Sequence, residues 1–137
     1  MANTLESKIG RALEENKFAA FATVEGGKPK VRYMALYHDG LEIYMATDKK
    51  THKVQELEQN SNVFLLLGYE KGGTGDVLEI EGTAKISDNE ELKKSVWRDE
   101  FSRWLDGPND PDYVVLKITP SRIEVLNEGG ENEVWTA

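Results

Sequence analysis

The chain has no cysteine, only two histidines, no apolar run approaching the length of a membrane span, and no surplus of positive charge. Without cysteine there are no disulfides, no thiolate metal ligands and no thiol nucleophile. His38 and His52 are too few and too poorly flanked for a metal site or a catalytic triad, and His38 reads as a turn residue. A spanning helix needs roughly 20 apolar residues, so no membrane partner is expected. Asp+Glu 25 against Lys+Arg 17 gives a formal net charge of −8, and the average surface should therefore repel nucleic acid and anionic membranes. The opening MANTLESKIG lacks the cationic-then-apolar order of a signal peptide, so a cytoplasmic setting is expected.

What remains is 137 residues, 39% hydrophobic and 31% charged, a composition suited to one compact domain with a real core. Leu5, Ile9, Ala12 and Leu13 recur at helical spacing, and Asn3 with Glu6 has capping-box spacing, which predicts a helix over Asn3 to Asn16. KFAAFATV and PKVRYMALYH read as a hairpin about EGGK, and a second turn at HDG leads to LEIYMAT, giving a three-stranded meander. THKVQELEQN predicts a short helix burying Val54 and Leu57 and ending at Asn60. NVFLLLGYE is nearly all apolar, as for a strand buried on both faces, whereas VLEIEGTAKIS alternates. KGGTGD between them reads as a turn, since it lacks the Gly-Lys-Ser/Thr ending of a phosphate-cradling loop.

SDNEELKKSVWRDEFSRWLDG predicts one amphipathic helix, capped by Ser87 or Asp88, with Leu92, Val96, Trp97, Phe101, Trp104 and Leu105 on one side. YVVLKIT and RIEVL read as two further strands with TPS between them. Residues 1–127 are expected to form the domain and 128–137 a loose tail. Seven strand candidates interspersed with helices imply a mostly antiparallel barrel.

Against this acidic background MATDKKTHKVQEL gathers Lys49, Lys50 and Lys53 beside Thr47, Thr51 and His52. A tight turn with Asp39 and Gly40 at its centre would pair His38 with Leu41, and hence Arg32 with Thr47. The chain leaving Thr47 then enters the helix bearing Thr51 and Lys53, so arginine, hydroxyls and lysine converge. A helix N-terminus already carries about half a positive charge, and lysines there are costly unless an anion compensates. A phosphate would do so, accepting helix amides, an arginine fork, a lysine and hydroxyl donors. The alternative for the same residues is a solvated lysine cluster with Asp48 as its counterion.

The succession from FAAFATVEGG to NVFLLL resembles the pyridoxamine 5'-phosphate oxidase-like flavin-binding split barrels, and within them the general stress protein 26 branch, over about Leu5 to Leu126. The motifs that carry the resemblance are Val31-Arg32-Tyr33-Met34, then Thr47 at a strand end, then Thr51-His52-Lys53 opening a helix. The resemblance implies a mostly β (α+β) fold, an antiparallel six- to seven-stranded split barrel with flanking helices. It further implies flavin mononucleotide (FMN), with FAD possible, held through its phosphate by Arg32, Lys53, Thr47 and Thr51. His52 would edge the phosphate, the backbone at Tyr33 and Met34 would run along the ring, and Trp97 and Trp104 would be further contacts. A homodimer with flavin at the interface is implied as well.

Two departures stand out. Leu126 occupies a position where the branch often carries tryptophan, and nothing after Arg122 matches the C-terminal Arg-x-His element of true pyridoxamine phosphate oxidases, so vitamin B6 oxidation is not expected. A flavin carries electrons itself, and the protein then supplies position and electrostatics without a nucleophile or proton relay. The readings that follow are a flavin-dependent oxidoreductase of unknown small-molecule substrate linked to general stress, a flavin-binding redox sensor without turnover, or a split barrel holding haem or deazaflavin. For Trp97, Phe101 and Trp104 the competing reading is core or dimer interface. Lys28 and Lys30 read as solvated neighbours of Arg32 on one strand face.

Overall fold

The computed structural model describes residues 4–68, 76–126 and 132–137. Helix α1 (Thr4–Glu15) buries Ile9, Ala12 and Leu13 on the barrel, and the Asn16 side chain closes its end by donating to the Ala12 carbonyl at 2.8 Å. Asn3 and most of KGGTGD lie outside the described residues. Strands β1 (Phe18–Glu25) and β2 (Lys28–Ala35) form the expected hairpin. Its turn is Gly26-Gly27 with φ of 56° and 78°, values that L side chains adopt only at a cost.

The meander breaks at Leu36. That residue is buried and donates its N–H to the Lys17 carbonyl at 2.9 Å, so the predicted strand from Pro29 to His38 divides into β2 and a short β3 (Tyr37–Asp39). β3 pairs with β4 (Glu42–Asp48) in the register His38↔Ile43, two residues away from the expected His38–Leu41 pair. Arg32 consequently pairs with Phe21, and Thr47 with Val114. Tight-turn chemistry alone does not fix register here, because burying Leu36 pulls the chain away from a single hairpin.

Helix α2 (His52–Gln59) buries Val54, Glu56 and Leu57, and stops at Asn60, whose N–H bonds to the Glu56 carbonyl at 2.9 Å. β5 (Asn62–Leu67) is buried on one face only: Val63, Leu65 and Leu67 point inward while Phe64 is exposed, which corrects the two-face expectation. β6 (Val77–Ser87) alternates as read. The two predicted final strands are one, β7 (Tyr113–Leu126), in which Ser121 is an extra residue between the pairs Gly82↔Pro120 and Glu81↔Arg122. Such a bulge accommodates proline in a paired strand.

The tail is not loose throughout. β8 (Glu133–Thr136) pairs with β7, Lys8 meets Glu133 at 2.6 Å, and the Trp135 ring packs on the core with its Nε1–H donating to Glu6 at 3.1 Å. An amphipathic strand containing tryptophan buries enough apolar surface to offset the entropy of ordering a terminus.

The late helix is also shorter than expected. α3 (Glu90–Val96) is capped by Asn89, whose side chain accepts the Leu92 N–H at 3.0 Å; the chain turns at Trp97 and resumes as a 3₁₀ turn over Asp99–Arg103. Arg98 covers the break by donating to the carbonyls of Ser95, Val96 and Trp97. The break lets Trp97, Phe101 and Tyr113 meet edge to face, with centroids 5.4 Å apart for Trp97–Phe101 and Trp97–Tyr113. Packing on a curved sheet overrides a continuous helical pattern.

The strand order is β2-β1-β5-β6-β7-β4-β3, every pair antiparallel. Its two end strands, β2 and β3, are consecutive in the chain and separated only by Leu36. A sheet whose ends are covalently joined must curl, and the result is a barrel that is split where β2 leaves β4. Phe21, Ile43, Met45, Leu65, Ile80 and Ile118 fill its interior, each worth roughly 1.5–3 kcal/mol of transfer free energy. A second core of Val96, Phe101, Leu105, Tyr113 and Val115 lies under α3.

Candidate functional site

The split places a cavity of about 510 Å³ between β2, the end of β4 and the start of α2. Arg32, Tyr33, Met34, Thr47, Thr51, Lys53 and Trp104 all line it. His52 does not; it is exposed on the first residue of α2. Trp97 does not either: it belongs to the second core, and the competing reading of its aromatic stripe holds for it. Trp104 stands at the rim, 53% exposed. Arg32 and Thr47 therefore share the cavity without being a cross-strand pair, because barrel closure brings together what the ladder does not.

At the α2 end the helix start is uncapped. Thr51 occupies the N-cap position but makes no side-chain cap bond; its hydroxyl donates to the Asp48 carbonyl at 2.9 Å. The first amides of a helix have no intrahelical acceptor, so this terminus offers N–H donors and the positive end of the helix dipole. Lys53 Nζ lies 3.4 Å from Thr51 Oγ1 and forms no ion pair among the described residues. Burial, and then the nearby charge of Arg32, push the Lys53 ammonium below its ordinary pKa, opposed in part by Asp48 and Glu56. A half-buried lysine without an ion pair among the described residues could hold an anion.

Arg32 is already half engaged. Its Nη1 donates to Thr23 Oγ1 at 2.6 Å and its Nη2 to Glu56 Oε2 at 3.2 Å, while the Thr23 hydroxyl donates to the same Glu56 oxygen at 3.1 Å. Lys30 is exposed and outside the cavity wall, as read, but it also pairs with Glu25 and lies 3.5 Å from Glu56 Oε1. Thr23, Glu56, Phe18, Tyr37 and Asp48 were not among the sequence candidates. The inward alternation of Ala19, Phe21 and Thr23 could have marked Thr23. A glutamate between Val54 and Leu57 on a short amphipathic helix could have marked Glu56.

A second cavity of about 620 Å³ adjoins the first across Phe18, Ala35, Tyr37, Phe101 and Trp104, and is bordered by Glu14, Lys17, His38 and Arg103. His38 was read as a turn residue but lies in β3, paired with Ile43, with its ring within 3.0 Å of the Gly40 carbonyl and 2.7 Å of Glu14. Among the described residues no group of three or more histidines or acids could hold a metal ion, and no helix is long and apolar enough to cross a membrane. The geometry suits a ligand with a phosphate at the α2 end and a planar apolar body along Tyr33, Met34 and Trp104.

Comparison with known proteins places the fold. General stress protein 26 of Bacillus subtilis is 44% identical over 131 residues, covering 95% of this chain and 94% of that protein. The crystal structure of general stress protein 26 from Bacillus anthracis superposes with a TM-score of 0.86 at 33% identity, over 96% of this chain and 98% of that one. A pyridoxamine 5'-phosphate oxidase-related, FMN binding protein from Nostoc punctiforme shares the fold, with a TM-score of 0.73 at 13% identity, over 100% of this chain and 98% of that one. The sequence pattern of the pyridoxamine 5'-phosphate oxidase family matches residues 5–127, and with a split barrel of the same architecture the chain belongs to that family.

Proposed function

We propose that the cavity binds FMN, with its phosphate between Arg32, Lys53 and the α2 N-terminus, Thr47 and Thr51 as hydroxyl contacts, and its ring system along Tyr33, Met34 and Trp104. The observation that carries this reading is Lys53: a half-buried cation beside a second cation, with no carboxylate partner among the described residues, at an uncapped helix start. The Nostoc relative of the same fold binds FMN. Among the described residues no histidine lines this cavity, though Tyr33, Met34 and Tyr37 do. Bound flavin would supply the electron transfer, and the chain would position it and leave the adjoining cavity for a second, redox-active molecule. The function is then that of a flavin-dependent oxidoreductase.

A homodimer fits the same reading. Tyr33, Ala20 and Leu66 form one row across β2, β1 and β5, and Val31, Ala22 and Phe64 the next. Tyr33 is 82% and Val31 66% exposed, so these rows present an apolar face at the cavity mouth.

Release of bound small molecules by denaturation, followed by absorbance and mass spectrometry, tests the cofactor directly. Fluorescence titration should show FMN binding at least tenfold tighter than riboflavin, which lacks the phosphate; equal affinities would refute the phosphate assignment. Anaerobic mixing of the flavin-loaded protein with NADH or NADPH separates the two functional readings, since rapid bleaching marks a reductase and persistence of the oxidised spectrum across a donor panel marks a sensor.

A further inference from the structure

Glu56 is 5% exposed, and a buried carboxylate is costly unless it is fully compensated. Its compensation is incomplete. Oε2 accepts from Thr23 and Arg32, but Oε1 is buried without a hydrogen bond among the described residues, its nearest cation being Lys30 at 3.5 Å. An apolar residue between Val54 and Leu57 would fill the same place on α2 with no orphaned oxygen. The side chain lies behind Arg32, outside the cavity wall.

We propose that Glu56 sets the strength of the phosphate site: it holds Arg32 in place and at the same time opposes the negative charge of the ligand, so that the cofactor exchanges instead of being held permanently. This rests on the flavin reading above. Thr23 Oγ1 and Glu56 Oε2, bonded to each other, close the edge between the two terminal nitrogens of Arg32, which leaves the lateral edge of the guanidinium for a phosphate. Fixing that edge strengthens binding; the like charge of the carboxylate weakens it. The second effect is the larger one. A dianion and a carboxylate on either side of one guanidinium, in a site partly withdrawn from water, repel at every orientation of the arginine. Glutamine at the same position keeps an oxygen that Arg32 can use, so little of the orientation is lost.

Glu56→Gln should therefore bind FMN at least tenfold more tightly than the parent chain, with a slower off-rate, while riboflavin affinity stays within about twofold. Thr23→Val, which removes a neutral anchor of Arg32 and no charge, should not tighten FMN. Unchanged or weaker FMN binding in Glu56→Gln overturns the proposal, as does an equal tightening in Thr23→Val. A purely structural role would alter the thermal midpoint without altering the ratio of FMN to riboflavin affinity. Should Glu56→Gln fail to fold, Lys30→Met takes its place. It strips Glu56 of its second cation without touching the cavity wall and should weaken FMN several-fold, and no weakening counts against the proposal. Inorganic phosphate, followed by ³¹P NMR, separates this inference from the flavin reading. If the parent chain takes neither flavin but Glu56→Gln raises phosphate affinity, the flavin reading falls and this one stands; if neither FMN nor phosphate is held more tightly, this one falls.

Discussion

Replacing Lys53 by methionine separates binding from folding, because the two respond with opposite sign. Methionine keeps the apolar stem of the lysine and removes only the ammonium. A charge-assisted hydrogen bond to phosphate contributes about 1.5–3 kcal/mol, so FMN should bind roughly 10- to 150-fold more weakly, with riboflavin unchanged. In the absence of flavin the same change should not destabilise the protein. Burial and the Arg32 charge hold the folded-state pKa of Lys53 below 10.5, its ordinary value, so folding acts against the charged form. That cost is present in full below the folded-state pKa and fades as pH rises through 10.5, above which the ammonium is lost in folded and unfolded chains alike. Because Lys53 is only half buried, solvent screening limits the gain from its removal to about 0.5 kcal/mol, a rise of roughly 1–2 °C in thermal midpoint. Scanning calorimetry with and without FMN, at neutral pH and near pH 10.5, measures both effects. A variant that melts earlier without flavin, or that loses FMN and riboflavin equally, refutes the reasoning.

Arg32→Ala behaves differently, since it leaves Glu56 buried beside Thr23 with Lys30, at 3.5 Å, as its one remaining ion pair among the described residues. It should cost about 3 kcal/mol of stability even without flavin, seen as a lowered denaturant midpoint, and a variant as stable as the parent would remove the Arg32–Glu56 pair from the fold's supports. Gly82→Ala places a Cβ 2.6 Å from the Thr119 carbonyl and 3.1 Å from Pro120 Cα, both backbone atoms at the β7 bulge. Loss of about 3 kcal/mol in urea unfolding is expected, with FMN affinity per folded molecule unchanged. Val31→Asp puts a charge on the apolar face of β2, β1 and β5 and, if the protein is the homodimer proposed above, should convert it to a monomer in sedimentation velocity; a dimeric mass left unaltered would move the interface elsewhere.

Local signals in the chain were sufficient for the end of α2 at Asn60, for the Gly26-Gly27 turn and for the alternation of β6, because each depends on residues a few positions apart, whereas the late helix starts after Asn89 and not after Ser87 or Asp88, and ends at Val96. They failed where a distant partner decides. Leu36 divides β2 from β3 because its amide reaches Lys17, nineteen positions back in the chain, and nothing between Pro29 and His38 advertises that bond. Trp97 looks like a cofactor wall on an ideal helix, yet a break at Arg98 turns it into the second core. The same limit applies within the site. Arg32, Thr47 and Lys53 could be grouped from motif spacing, but through a pairing that does not exist; the barrel closes them together by another route. Glu56 stands out locally only as an acid on the buried side of α2; what it does lies in Thr23 and Arg32, more than twenty residues away.

The position of the cavity follows from the topology itself. A sheet ordered β2-β1-β5-β6-β7-β4-β3 with β2 and β3 joined through one residue can close only if its end strands approach, but β2 and β4 form no ladder with each other. Backbone pairing is interrupted at that seam, and the space it leaves must be filled by side chains or by a ligand. The chain lines it from both sides with cations, Arg32 from β2 and Lys53 from the helix that follows β4, and although Asp48 lies in the same cavity, Lys53 forms no ion pair among the described residues. Apolar packing there would complete the barrel more cheaply. A seam furnished instead with an unpaired lysine and an uncapped helix start would gain stability from a bound anion, so if a phosphate-bearing ligand occupies it as proposed, the unfolding free energy should rise by roughly 3–4 kcal/mol at ligand concentrations several hundred times Kd.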